Sequence, residues 1–223
     1  MIRISHKSGR LGNRMLINTC ASILSQKYDL KVEEYVETPG ITLNYCMSGR
    51  MLDMVKVRDE ELLDLTEPIK TGLDLGECYF QVGDFLSSIW NELTGFIPKA
   101  TESKEGAFIH VRLGDVAHLS PPFSYYEECI KRSGATTGLV SSDSLTHDTV
   151  KKIEEMGFAV FDRDPAETML EAAKYHTLIL SKGTFSWWIG MMSNASQIYY
   201  PVDSHTWHGN IFEVTNWTPI IVT

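Results

Sequence analysis

Four short runs combine residue types that can hold a phosphate-bearing group. In FIHVRLGD, residues 108–115, His110 and Arg112 alternate with apolar residues, so on a strand they share one face near its carboxyl end, with Asp115 in the loop beyond Gly114. A guanidinium placed there grips phosphate oxygens through paired N–H groups and is permanently charged. In SKGTFSWW, residues 181–188, Thr184, Phe185 and Ser186 fall where the first turn of a helix points its amides at an anion. SGRLGNRM, residues 8–15, sets Gly12 and Asn13 in a glycine loop that opens onto a helix, and VSSDS, residues 140–144, sets Ser142 and Asp143 at the end of a strand. The chemistry such a set supports is stabilisation of negative charge on a departing diphosphate.

Each run also has a purely structural reading. The glycine loop is compatible with an ordinary strand-to-helix turn, and its two glycines have neither dinucleotide-fold nor Walker spacing. Arg112 and Asp115 can form a structural ion pair, and a lone His110 can be a satisfied core histidine. Ser142 is suited to capping the next helix, and Trp187 and Trp188 are expected in the core.

The elements that must position these residues follow from periodicity. MIRIS reads as a strand, HKSGRLGNR as a loop and MLINTCASILSQKY as a helix; KVEEYV is expected as the strand that completes a first βαβ unit. RDEELLDL reads as a surface helix or turn, GECYFQVGD as a further strand and DFLSSIWNELT as one helix. The polar stretch KATESKEGA, residues 99–107, is expected to link two domains. After it, strand and helix alternate from AFIHVR to QIYYP, which implies a parallel sheet flanked by helices, with ligands at the carboxyl ends of the strands. The expected organisation is an N-terminal half over 1–100, a nucleotide-binding half over 105–200 and a C-terminal tail over 201–223.

Composition narrows the partners. A chain of 223 residues with 43% hydrophobic residues can bury a core, and a formal charge of −9 argues against broad nucleic-acid or anionic-lipid surfaces. Cys20, Cys46, Cys78 and Cys129 are dispersed without a CxxC pair, so neither a metal framework nor a disulfide scaffold is expected, and a reducing, cytoplasmic setting fits. No apolar run approaches the roughly 20 residues of a membrane span. No metal clamp is expected at the strand ends and no cofactor is implied.

Taken together the runs resemble the alpha-1,2- and alpha-1,6-fucosyltransferase superfamily. SGRLGNRM is similar to its glycine loop, HVRLGD to its H-x-R-R-x-D motif, SSDS to its intermediate strand end and LSKGTFSWW to its late S-N-S-x-F-S-W-W motif, all in family order. The resemblance implies an α/β, GT-B-like architecture, with two Rossmann-like halves whose parallel sheets face a cleft. It also implies metal-independent, inverting transfer of a sugar from a nucleotide-sugar donor, usually GDP-fucose, to a glycan acceptor. Carried over by position, Arg112 would grip the diphosphate, His110 would lie against the base or ribose, and Thr184, Phe185 and Ser186 would line the phosphates. Ser142 and Asp143 would belong to the donor site, and Glu167, eighteen residues before Phe185, falls where protein O-fucosyltransferases recognise guanine. Gly12 and Asn13 would reach from the N-terminal half toward the donor and the reacting centre, where Asn13 would join Arg112 as a catalytic residue, and Asp115 is the carboxylate available to take the acceptor proton. Leu113 stands where the motif has its second arginine, Gly183 where it has a hydroxyl residue, and Glu167 is longer than the usual aspartate. A UDP-dependent xylosyl- or rhamnosyltransferase, or a non-catalytic nucleotide- or glycan-binding module, are the alternatives.

Overall fold

The computed structural model describes residues 1–4, 9–65, 69–202 and 209–222, and the chain divides into two compact units. Unit 1 comprises Met1–Pro98 with His208–Val214, and unit 2 comprises Lys99–Trp207 with Thr215–Thr223. Of the opening loop and the C-terminal segment, residues 5–8 and 203–208 lie outside the described residues.

Unit 1 holds β1 (Ile2–Ile4), α1 (Leu11–Tyr28), β2 (Met54–Lys56), β3 (Gly72–Leu75), α2 (Gly83–Ser88) and α3 (Trp90–Phe96). Its three strands form a parallel sheet in the order β1-β3-β2. Every residue of α1 from Met15 to Ser25 is buried, so its polar residues must find partners inside. Asn18, Ser22 and Ser25 find them in the chain that follows, whereas the Thr19 hydroxyl is buried without a hydrogen-bond partner among the described residues. Asn18 donates from Nδ2 to Val36 O at 2.6 Å and accepts from Val36 N at 2.9 Å, Cys46 N donates to Ser22 Oγ, and Ser25 Oγ donates to Leu30 O.

This side-chain clamp is why KVEEYV is not the strand its alternation suggests. The segment makes one bridge, Val32 beside Ile2, and then turns its backbone to Asn18 instead of to a neighbouring strand. GECYFQVGD forms no strand for a related reason, since Tyr79 N and Phe80 N both donate to the Asp59 carboxylate, at 2.9 and 2.8 Å. Asp59 opens the 3-10 turn Asp59–Asp64 within RDEELLDL. DFLSSIWNELT is two helices, α2 and α3, interrupted at Ile89 (φ −116°, ψ 18°), where Ser88 Oγ donates back to Phe85 O.

Unit 2 is built from β4 (Lys104–Val111), α4 (Phe123–Ser133), β5 (Gly138–Ser142), α5 (Asp148–Glu155), β6 (Phe158–Val160), α6 (Pro165–Ala172), β7 (Tyr175–Ile179), α7 (Thr184–Met192), β8 (Gln197–Val202) and β9 (Thr218–Ile221). All six strands are parallel, in the order β6-β5-β4-β7-β8-β9. The chain winds outward from β4 to β6, returns to the other side of β4, and continues outward from β7. That is the doubly wound pattern whose ligand crevice lies where the winding reverses, between the carboxyl ends of β4 and β7. The polar stretch expected as a linker already enters the sheet at Lys104, and the segment expected as a tail supplies β9.

Alternation along β4 sorts its side chains between two cores. Ala107, Ile109 and Val111 pack with Tyr125, Tyr126, Val150 and Ile153 of α4 and α5. Phe108 turns the other way, against Phe161 and Tyr175, and His110 follows it to meet α7.

Asn18→Ala should destabilise unit 1 by about 2–4 kcal/mol, because two buried backbone groups of Val36 lose their partner. Urea unfolding followed by a probe in unit 1 measures it; a change below about 0.5 kcal/mol would show that water or a neighbour replaces the clamp.

Candidate functional site

The carboxyl ends of β4 and β7 bring the two strongest sequence runs together. His110 Nδ1 lies 2.6 Å from Ser186 Oγ, a hydrogen bond between a strand and a helix far apart in sequence. Both residues are buried, Ser186 completely. Phe185 closes over the pair, its ring centroid 4.9 Å from that of His110. Burial holds the imidazole neutral and lowers its pKa to about 4; Asp143 opposes the shift and Arg112 adds to it. Ser186 therefore points beneath the turn, toward His110, rather than outward with Phe185.

The turn itself is shaped by Gly183, which precedes α7 at φ 92° and leaves the N-terminal amides without a side-chain cap. A Cβ on Gly183 would meet nothing within 4 Å, so the backbone conformation, not crowding, is what selects glycine. Thr184 begins the helix and is buried, and Trp187 and Trp188 are fully enclosed, edge to face at 5.3 Å. They anchor α7 from within, as the structural reading expects. Trp217, just before β9, packs its ring onto Gly190 of the same helix.

Two tyrosines that the sequence marks only as helical hold the opposite side. Tyr125 Oη donates to Leu180 O at 2.6 Å and Tyr126 Oη donates to Ser181 Oγ at 3.2 Å, so α4 grips the chain where it leaves β7. Burial pushes both phenols well above their ordinary pKa, and both stay protonated as donors. Their only signal was adjacency, two tyrosines in an otherwise amphipathic helix.

Arg112 emerges from β4 and is met by two carboxylates. Nη1 donates to Asp143, and Nη2 donates to Asp115 at 2.6 Å. Asp143 also accepts from Leu113 N at 2.8 Å, which fixes the loop after β4 to the end of β5. Gly114, at φ 40°, admits that approach, since a Cβ there would stand 2.5 Å from Asp143 Oδ2. Ser120 Oγ donates to Arg112 O and closes the loop from behind. The side chain of Arg112 is 19% exposed, that of Asp143 27% and that of Asp115 60%, so the guanidinium is reached from solvent on the Asp115 side.

The remaining predicted residues separate. Ser142 Oγ accepts from Ser144 N in a tight local turn, while His147 Nδ1 caps α5 by accepting from Thr149 N, so the capping role expected of Ser142 belongs to His147. Glu167 is exposed in the first turn of α6, beyond edge strand β6, where Asp164 caps the helix by accepting from Ala166 N and Glu167 N. Gly12 and Asn13 belong to unit 1, in the first turn of α1. There Asn13 Oδ1 accepts from Gln81 Nε2 at 3.4 Å, and Arg14 Nε donates to Gly9 O.

Among the described residues no group of three or more His, Cys, Asp or Glu side chains could hold a metal ion, and no helix is long and apolar enough to cross a membrane. Comparison of the chain with known protein families, curated proteins and solved structures found no match.

The buried neutral His110 makes stability depend on pH. Its folded pKa of about 4 lies below its ordinary 6.5, so its contribution is complete above about 6.5, falls as the unfolded chain takes up the proton, and is exhausted below about 4. The loss should approach about 3 kcal/mol across that window. His110→Asn should remove this part of the pH dependence; an unchanged slope in the variant, read by denaturant titrations from pH 7 to 4, would assign it elsewhere.

Proposed function

We propose that the chain is an inverting glycosyltransferase that moves a sugar, L-fucose from GDP-fucose, onto a hydroxyl of a glycan. Unit 2 is the donor-binding unit and unit 1, with Gly12 and Asn13, the acceptor side of a GT-B-like pair. The observation that carries the reading is the meeting of HVRLGD and GTFSWW at the winding reversal of the larger sheet, linked by the His110–Ser186 hydrogen bond. Two motifs that resemble those of one transferase superfamily lie where such sheets bind nucleotides.

In this reaction the bond between the sugar's anomeric carbon and the β-phosphate oxygen breaks while the acceptor oxygen attacks from the opposite face. The sugar acquires oxocarbenium character, and the bonding electrons stay with GDP, so the demand for positive potential is greatest at the departing phosphate. Arg112 and the first-turn amides of α7 supply it, in the place a divalent cation takes in other transferases. His110 positions the turn by holding Ser186, and Phe185 shields that contact from water. The acceptor proton passes to a carboxylate, with Asp115 the residue at hand, or to the leaving phosphate itself.

Glu167, exposed beside the end of β6, is the residue the reading assigns to the base. A UDP donor is the competing reading if Glu167 makes no difference between guanine and uracil nucleotides. Thermal-shift titration with GDP, UDP, GDP-fucose and UDP-sugars, followed by hydrolysis and transfer assays, tests the assignment. Arg112→Ala should lower turnover at least about 100-fold, the loss typical of a charge-stabilising donor group, with far-ultraviolet circular dichroism unchanged. Substantial residual turnover would remove Arg112 from the mechanism, and GDP binding without any turnover in the unaltered chain would favour a binding module.

A further inference from the structure

Arg112 carries two carboxylates, and the three groups together bear a net charge of −1. A diphosphate approaching that arrangement meets repulsion unless one carboxylate gives way. The two are not held alike. Asp143 is fixed through Leu113 N and lies against Gly114, so moving it would open the loop after β4. Asp115 stands at the start of the 3-10 turn Gly114–Leu119, directly after a glycine, in a segment whose Val116 departs from helical geometry (φ −125°, ψ 23°). It is also the more exposed of the two, at 60% against 27%. Its oxygen sits 2.6 Å from Arg112 Nη2, the position a phosphate oxygen would take on the same N–H group.

We propose that Asp115 is a resident counter-ion of Arg112 that a diphosphate displaces, while Asp143 remains as the brace that aims the guanidinium. The proposal rests on the donor-site reading above and assigns Asp115 a role in anion affinity rather than in proton transfer. Displacement weakens the hold on every diphosphate, donor and product alike. On release of GDP, Asp115 returns to Nη2 and restores the paired state, which speeds product departure.

Calorimetric titration of the full chain with inorganic pyrophosphate and with GDP separates the possibilities. Asp115→Asn and Asp115→Ala should bind both probes about five-fold tighter, the size of an ion pair that no longer has to be broken. Asp143→Asn should bind them no tighter than the unaltered chain, because the guanidinium loses its brace. Unchanged or weaker binding in both Asp115 variants would overturn the proposal, as would equal tightening in Asp143→Asn. Loss of transfer with unaltered affinity in Asp115→Asn would return Asp115 to the role of proton acceptor and overturn the counter-ion role. If none of the four proteins bound either probe, the donor-site reading itself would fall. Thermal melting of each variant confirms that the unit is folded.

Discussion

A buried side-chain hydrogen bond between His110 Nδ1 and Ser186 Oγ ties the helix after β7 to β4 at the winding reversal in unit 2. β4 and β7 are adjacent and parallel, but adjacency of strands does not by itself fix the helix that follows β7. The bond does so by tying the first turn of α7 to a side chain of β4. A buried hydroxyl and a buried imidazole each need a partner, and leaving either unpaired costs about 1–3 kcal/mol, so the pair specifies a position as well as contributing stability. Tyr125 and Tyr126 do the same from the other face of the sheet, at Leu180 and Ser181. The turn 181–186 is thus held from both sides.

Arg112 illustrates a different constraint. A partly buried guanidinium must be paired when no ligand is present, and the protein supplies carboxylates from its own loop and from the end of the next strand. The same carboxylates would oppose an anion that approached the guanidinium. Of the two carboxylates, Asp143 also accepts from Leu113 N, and Asp115 is the more exposed.

In unit 1 the organising element is a helix buried on all sides. Because α1 has no solvated face over Met15–Ser25, its Asn18, Ser22 and Ser25 act on the backbone of the following chain and replace ladder hydrogen bonds with side-chain ones. A segment with strand-like alternation then runs as an irregular strap. Asp59 acts in the same manner on Tyr79 and Phe80.

The sequence alone determined the alternation of strands and helices after residue 104, the parallel sheet and the faces of β4, because these follow from period-2 and period-3.6 patterns and from turn residues, which are local. It also marked His110, Arg112, Thr184, Phe185 and Ser186 as residues of strand ends and a helix start. Only the tertiary structure decided that Ser186 serves His110, that Asp143 braces Arg112, that His147 rather than Ser142 caps α5, and that 31–36 and 76–84 are not strands. Apart from the local cap at His147, those outcomes depend on which polar group finds a partner from a distant part of the chain, 76 residues away for His110 and Ser186 and 31 for Arg112 and Asp143. Local periodicity carries no record of such pairings, whereas the requirement that buried polar groups be satisfied enforces them once the chain has folded.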